Sequence, residues 1–167
     1  MAVLPILLFP DSLLRKRSRP VGQGDRDIEE FLKRLTETLY AQPGGIGIAA
    51  PQVGEAKRIV IVDVSLKDSS KHPLVMINPK IRGLEGEVLT REGCMSLPDY
   101  TANVSRAERV AVEWTDTRGH RHQKIASGIE AICIQHEVDH LDGLLFIDRV
   151  GSLKTDIFVR GARRRDG

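Results

Sequence analysis

The stretch Gly128-Ile129-Glu130-Ala131-Ile132-Cys133-Ile134-Gln135-His136-Glu137-Val138-Asp139-His140-Leu141-Asp142-Gly143 decides how the rest of the chain is read. Ile129, Ile132, Cys133, His136, Glu137 and His140 recur at the three- and four-residue intervals of one helix side, and Gly143 is placed to stop that helix. The same segment contains His-Glu-x-x-His. Residues four apart on a helix stand one turn above each other, so both imidazoles can reach one metal ion with Glu137 beside the open coordination position. Short patterns of this kind also arise by chance, and from this segment alone two ordinary helix histidines are the plain alternative.

Working outward, a second helical pattern begins at Asp27, where Ile28, Phe31, Leu32, Leu35 and Leu39 recur on one face. Asp27 with Glu30 three residues later predicts a capped start, and Pro43, Gly44 and Gly45 predict the end. Branched apolar runs predict strands at Arg58 to Val64 and around Val75 to Ile77, Glu87 to Thr90 and Val110 to Trp114. Asp116 to Gly119 predicts a hairpin turn returning through His122, Lys124 and Ala126, and Met1 to Phe9 reads as an opening strand or arm. Strands around a central helix make an α+β fold, with mixed or antiparallel β-sheets packed around the helix that carries His-Glu-x-x-His. One domain is expected over residues 1–167.

Composition narrows the function classes. Hydrophobic residues make up 41% and charged residues 29% of the chain, near the globular average, and no apolar run approaches the roughly 20 residues of a membrane span. A net charge of +2 is too small for nucleic-acid recognition by charge alone. Basic residues cluster at Arg15, Lys16, Arg17 and Arg19 and at Arg160, Arg163, Arg164 and Arg165. Both runs read as solvated surface, with a weak RNA or ribosome contact as the alternative. Two cysteines, no disulfide pattern and no leading positive charge before the apolar N-terminus point to a reducing compartment and no secretory signal.

Two histidines leave a catalytic metal one protein ligand short, and Cys94 in Glu92-Gly93-Cys94-Met95-Ser96 is the obvious third donor. A rival set adds Cys133, three residues before His136. Cys94, Cys133, His136 and His140 could then close a structural zinc site with no open position. A further motif, Gly45-Ile46-Gly47-Ile48-Ala49-Ala50-Pro51-Gln52, has small residues that let an extended peptide approach the backbone, and Gln52 offers an uncharged donor to a developing oxyanion. It lacks the Gly-Lys-Ser/Thr ending of a phosphate loop.

Gly45 to Gln52, Glu92 to Ser96 and Gln135 to Leu141, in this order and spacing, resemble the three motifs of the peptide deformylase family, and the resemblance spans almost the whole chain. It implies that Cys94, His136 and His140 hold a divalent metal, iron(II) (Fe2+) natively, with zinc, nickel or cobalt able to substitute. It implies that Glu137 is general base and acid, that Gln52 and the Met95 amide bind the oxyanion, and that Gly47 hydrogen-bonds the substrate main chain. Ile46, Ile132 and Cys133 would line the methionine pocket, which takes Cys133 off the metal. The implied reaction removes formate from the formyl-methionine of nascent polypeptides in a bacterial cytosol, an organelle matrix being the alternative.

Two departures stand out. Thr101 occupies a position where some members place an arginine that helps hold the peptide, and Leu153 to Val159 is short where the family often continues into a long helix. The alternative functions are a His-Glu-x-x-His metallopeptidase and the structural zinc module. For the second coordination layer, Glu92 and Asp139 are candidates, and Arg106 is expected to pair with Glu92.

Overall fold

Residues 3–65 and 70–161 are described by the computed structural model. In chain order they form α1 (Ile28–Tyr40), β1 (Gly47–Ala49), β2 (Ile59–Val62), β3 (Leu74–Glu85), β4 (Val88–Cys94), β5 (Leu97–Arg106), β6 (Arg109–Thr115), β7 (Arg121–Ser127), α2 (Gly128–Leu141) and β8 (Ile157–Val159). Short 3-10 turns lie at Ser12–Arg15, Ala50–Val53 and Phe146–Arg149. A five-stranded sheet has the order β1-β2-β3-β6-β7 and a three-stranded sheet the order β4-β5-β8. Every neighbouring pair is antiparallel.

Strand β2 explains the layering. Its four residues are all buried, and because side chains alternate along a strand they serve both faces. Ile59 and Ile61 pack with Leu32, Leu35 and Leu39 of α1. Val60 and Val62 pack with Ala131, Ile134, Val138 and Leu141 of α2. The five-stranded sheet is thus covered by a helix on each side. A third cluster joins Leu97, Ala102 and Val104 of β5 to Leu145 and Phe146.

Several expectations change. Asp27 adopts left-handed backbone angles (φ 59°) and its side chain makes no cap bond, so only its carbonyl begins the helix, accepting from Phe31. Helix α2 is buried on nearly every side rather than one. Ile134, Val138 and Leu141 pack with β2, Cys133 and Glu137 are buried against Gly47 of β1, and Ile129, placed by spacing on the buried side, is 40% exposed. No strand forms at residues 3–9. They run as an arm whose Leu7 and Phe9 amides donate to the carbonyls of Gln52 (2.7 Å) and Ser96 (2.8 Å).

Gly143 does end α2, with φ 73°, and a β-carbon there would meet the Arg15 carbonyl at 2.5 Å. The hairpin over Asp116 to Gly119 forms, with His120 and His122 exposed beside Asp116. Trp114 is buried on the sheet face and stacks on His122. Of the basic runs, Arg15 pairs with Asp148 and Arg19 with Asp25, while Arg163, Arg164 and Arg165 lie outside the described residues. Among the described residues no helix is long and apolar enough to cross a membrane.

Candidate active site

A cavity of about 980 Å³ opens between α2, β1 and β4. Three sequence-distant segments meet there: the turn after β1, the β4–β5 hairpin and the helix itself. The hairpin is tight, since Cys94 pairs with Leu97 and only Met95 and Ser96 turn the chain.

The side-chain donor atoms of Cys94, His136 and His140 lie within 4.8 Å of one another, and Cys94 Sγ is 3.3 Å from His140 Nε2. Helical geometry supplies the two imidazoles, whose centroids are 5.1 Å apart. His136 Nδ1 is 2.7 Å from Glu92 Oε1, which leaves Nε2 for a ligand. A thiolate and two imidazoles are a donor set for a divalent transition metal with one position open, so the residues fit such an ion. Cys133 stands outside this cluster. Its thiol donates to the Ile46 carbonyl at 3.6 Å on the cavity wall, and burial pushes its pKa well up. The closed four-ligand zinc site is therefore not favoured.

Behind the donors sits a buried charge network. Arg106 donates to both oxygens of Glu92 (2.8 and 2.9 Å) and to Asp139 (2.6 Å), and Arg149 donates to Asp139 (2.8 Å). Burial alone would raise the Glu92 carboxyl, but the bonds from Arg106 and His136 hold it down to about 2. An ionised Glu92 fixes the His136 ring. Phe146 stacks on the same ring, 6.2 Å between centroids. Glu92 and Asp139 therefore divide the roles left open between them: Glu92 holds the histidine, and Asp139 holds the arginine that holds Glu92.

Glu137 lines the cavity, and its Oε2 is buried without a hydrogen-bond partner among the described residues. Burial lifts its carboxyl to about 7, against the opposing charge of His136. An unpartnered buried oxygen of this kind is matched by something that enters the cavity. His140 is pushed well below its ordinary value by burial, which favours the neutral imidazole that metal ligation requires. Burial also opposes charge on His136, yet its bonds to Cys94 and Glu92 raise its pKa well above the ordinary value; a cation bound at Nε2 would displace that proton.

Gln52 is held at both ends of its amide. Oε1 accepts from the Ala49 N–H at 2.9 Å, while Nε2 donates to Ser96 Oγ at 3.2 Å and lies 3.6 Å from Cys94 Sγ. The orientation leaves donors, not acceptors, facing the cysteine. Opposite, Gly47 meets α2 so closely that a β-carbon would fall 2.6 Å from Cys133 Sγ and 2.9 Å from Glu137 Cγ. Any larger residue would close the cavity against Glu137.

Ile46, Gly47, Gln52, Cys94, Met95, Ile132, Cys133, His136 and Glu137 all line this cavity, and His140 lies just behind it, 1% exposed. The sequence reading did not foresee Arg149 or Arg160. Arg149 binds Asp139 from the turn after α2, and Arg160 lines the cavity from the residue after β8. Neither carried a spacing signal, because each arrives through tertiary contacts alone.

A family model for polypeptide deformylase matches residues 3–156. A peptide deformylase of Thermodesulfovibrio yellowstonii is 42% identical over 158 residues, 95% of each chain, and one of Rhizobium meliloti is 44% identical over 161 residues, 96% of this chain and 92% of that one. The crystal structure of a Synechococcus elongatus peptide deformylase in complex with actinonin superposes with a TM-score of 0.86 at 38% identity, over 92% of this chain and 84% of that one. With the family model matching residues 3–156 and relatives 42% and 44% identical over nearly the whole chain, the chain belongs to the polypeptide deformylase family.

Proposed function

We propose that the cavity holds the formyl-methionyl end of a peptide and that Glu137, Gln52 and Met95 act on it. The chain is an enzyme that removes the formyl group from the N-terminal formyl-methionine of nascent polypeptides, as its family does. The observation that carries the reading of the site is the donor cluster of Cys94, His136 and His140 beside the unpartnered carboxylate oxygen of Glu137.

A divalent cation held by Cys94 Sγ and the Nε2 atoms of His136 and His140 would supply a Lewis acid and make water at the site acidic near neutral pH. Glu137 accepts the proton of the attacking water and returns it to the leaving amine nitrogen, roles suited to a carboxyl raised toward neutrality. Gln52 Nε2 and the Met95 N–H donate to the oxygen on which negative charge develops. Because Ala49 and Ser96 already fix the Gln52 amide, no reorientation is needed when the charge appears. Ile46, Ile132 and Cys133 receive the methionine side chain.

Strands β1 and β4 are edge strands of their sheets and both border the cavity, so an extended peptide between them finds free backbone groups, Gly47 among them. We assign iron(II) as the native metal and the bacterial cytoplasm as the location. The thiolate ligand makes the iron form oxidisable, so its turnover should fall in air; equal activity with and without oxygen would count against iron. A weak ribosome contact falls to the two basic segments, in the first of which Lys16 and Arg17 are exposed while Arg15 and Arg19 pair with Asp148 and Asp25.

The test is formate release from a formyl-Met-Ala-Ser peptide by anaerobically iron-loaded enzyme. Release from the formylated peptide, with no cleavage of unformylated Met-Ala-Ser, is expected. Cleavage of internal peptide bonds instead would restore the metallopeptidase reading.

A further inference from the structure

We propose that Arg160 is a substrate-binding residue at the cavity mouth, which takes a carboxylate of the peptide beyond formyl-methionine. The proposal rests on the deformylase reading of the cavity. It is carried by the placement of the guanidinium over Gly93, next to the donor Cys94.

Strand β8 brings the residue there. It pairs with β5 through Tyr100 with Val159, Thr101 with Phe158 and Ala102 with Ile157, and the Arg160 N–H then donates to the Asp99 carbonyl at 2.7 Å. The backbone is thus fixed at the point where the side chain leaves it. That side chain crosses β5 and reaches β4: a β-carbon built on Gly93 would collide with Arg160 Nη2, with Thr101 Cγ2 3.7 Å away. The guanidinium therefore lies directly on the glycine backbone, and Arg160 lines the cavity.

The second arginine of the mouth is differently employed. Arg91 donates to Asn103 Oδ1 at 3.0 Å and to Thr101 Oγ1 at 3.4 Å, and its guanidinium lies 3.7 Å from the Phe158 ring centroid. Its plane and its donors are occupied in supporting β5 and β8. Arg160 makes no side-chain hydrogen bond or ion pair among the described residues, and it lines an opening whose other charged borders include Glu87 and Glu108. A peptide extended along the free edge of β4 passes Gly93 as it leaves Cys94. A carboxylate carried a residue or two beyond the methionine would meet a planar fork of matching geometry.

The experiment compares kcat/KM for formyl-Met-Ala-Ser bearing a free C-terminal carboxylate with the same peptide as its amide, for wild type, Arg160→Gln and Arg160→Lys. For an exposed charge pair the wild type should favour the carboxylate by roughly two- to five-fold, mainly through KM, with the preference shrinking in about 0.5 M salt. Arg160→Gln should bring the ratio to one and Arg160→Lys should keep part of it. A ratio of one in the wild type, or an unchanged ratio in Arg160→Gln, overturns the proposal. So does an equal fall for both peptides, which would mark a packing role; a melting curve for each variant identifies that case. Formate release from neither peptide would overturn it together with the deformylase reading, whereas the other failures leave that reading intact.

Discussion

Helices α1 and α2 have nearly the same length, 13 and 14 residues, and cover opposite faces of one sheet, yet they are built to different rules. Helix α1 buries a leucine stripe of Leu32, Leu35 and Leu39 and turns Glu29, Glu30 and other polar residues to solvent. Helix α2 buries Gln135, Glu137, Asp139 and His140 among its apolar residues. Each buried polar group costs stability unless partnered. Two of the four are: Gln135 bonds both the amide and the carbonyl of Ala107, and Asp139 takes Arg106 and Arg149. Glu137 Oε2 and His140 Nδ1 are not. The first helix is spent on stability and the second on a site, and of the two helices only the second holds unpartnered buried side-chain atoms among the described residues.

That contrast can be broken most directly at Glu137. Glu137→Gln should lower kcat by about 10²- to 10⁴-fold while metal content and melting temperature hold, as read by formate release and metal analysis. Retention of activity would mean that the buried carboxylate is structural. Next comes the network behind the ligands. Arg106→Met leaves Glu92 and Asp139 buried with fewer partners and should destabilise by about 3–5 kcal/mol, with weaker metal retention in equilibrium dialysis. A stable variant with normal affinity would show the arginine to be dispensable.

Leu35→Ala in α1 should cost about 2–4 kcal/mol by chemical denaturation, since Leu35 is fully buried, while kcat changes little in the folded fraction. A large fall in kcat would blur the division between the helices. The smallest effect is expected at Tyr40, whose hydroxyl donates to Asp63 at 2.8 Å. Burial and then this bond push its pKa up to about 12. A pKa raised in the folded state favours the protonated form. The stability it adds is therefore complete below pH 10 and lost as pH rises from about 10 to about 12. Tyr40→Phe should cost about 1 kcal/mol at neutral pH and flatten that alkaline limb of the stability profile.

Legibility followed the range of the interactions. Strand β2, helix α2 and the hairpin at Asp116 were visible because local pattern and tertiary fate agree. Strand β5 was not foreseen, since Pro98, Asp99 and Asn103 mask the alternation of Ala102, Val104 and Arg106 that packs inward. Strands β1 and β8 have three residues each and are extended only because a neighbour offers an edge. At the site, the motif residues could be read because chemistry constrains their type and order. Pairing between Glu92 and Arg106 was foreseen as a single link; the continuation through Asp139 to Arg149 depends on where the chain turns after α2, which no local pattern encodes.

The N-terminal arm lends no side chain to the cavity, yet its Leu7 and Phe9 amides donate to the carbonyls of Gln52 and Ser96, whose side chains bond each other beside Cys94. No side chain of the arm is fully buried, Val3, Leu8 and Phe9 being exposed and Ile6 only partly buried against the α1 core, so beyond these two bonds it is held chiefly by the Leu4 amide on Thr38 Oγ1 at 2.8 Å. Segments held this weakly open at a small fraction of the global unfolding free energy. Warming should therefore detach the arm while both sheets are still folded, and activity should fade below the melting temperature in step with amide exchange at Leu7 and Phe9. The temperature limit of catalysis would then be set by a strap at the edge of the molecule and not by its core.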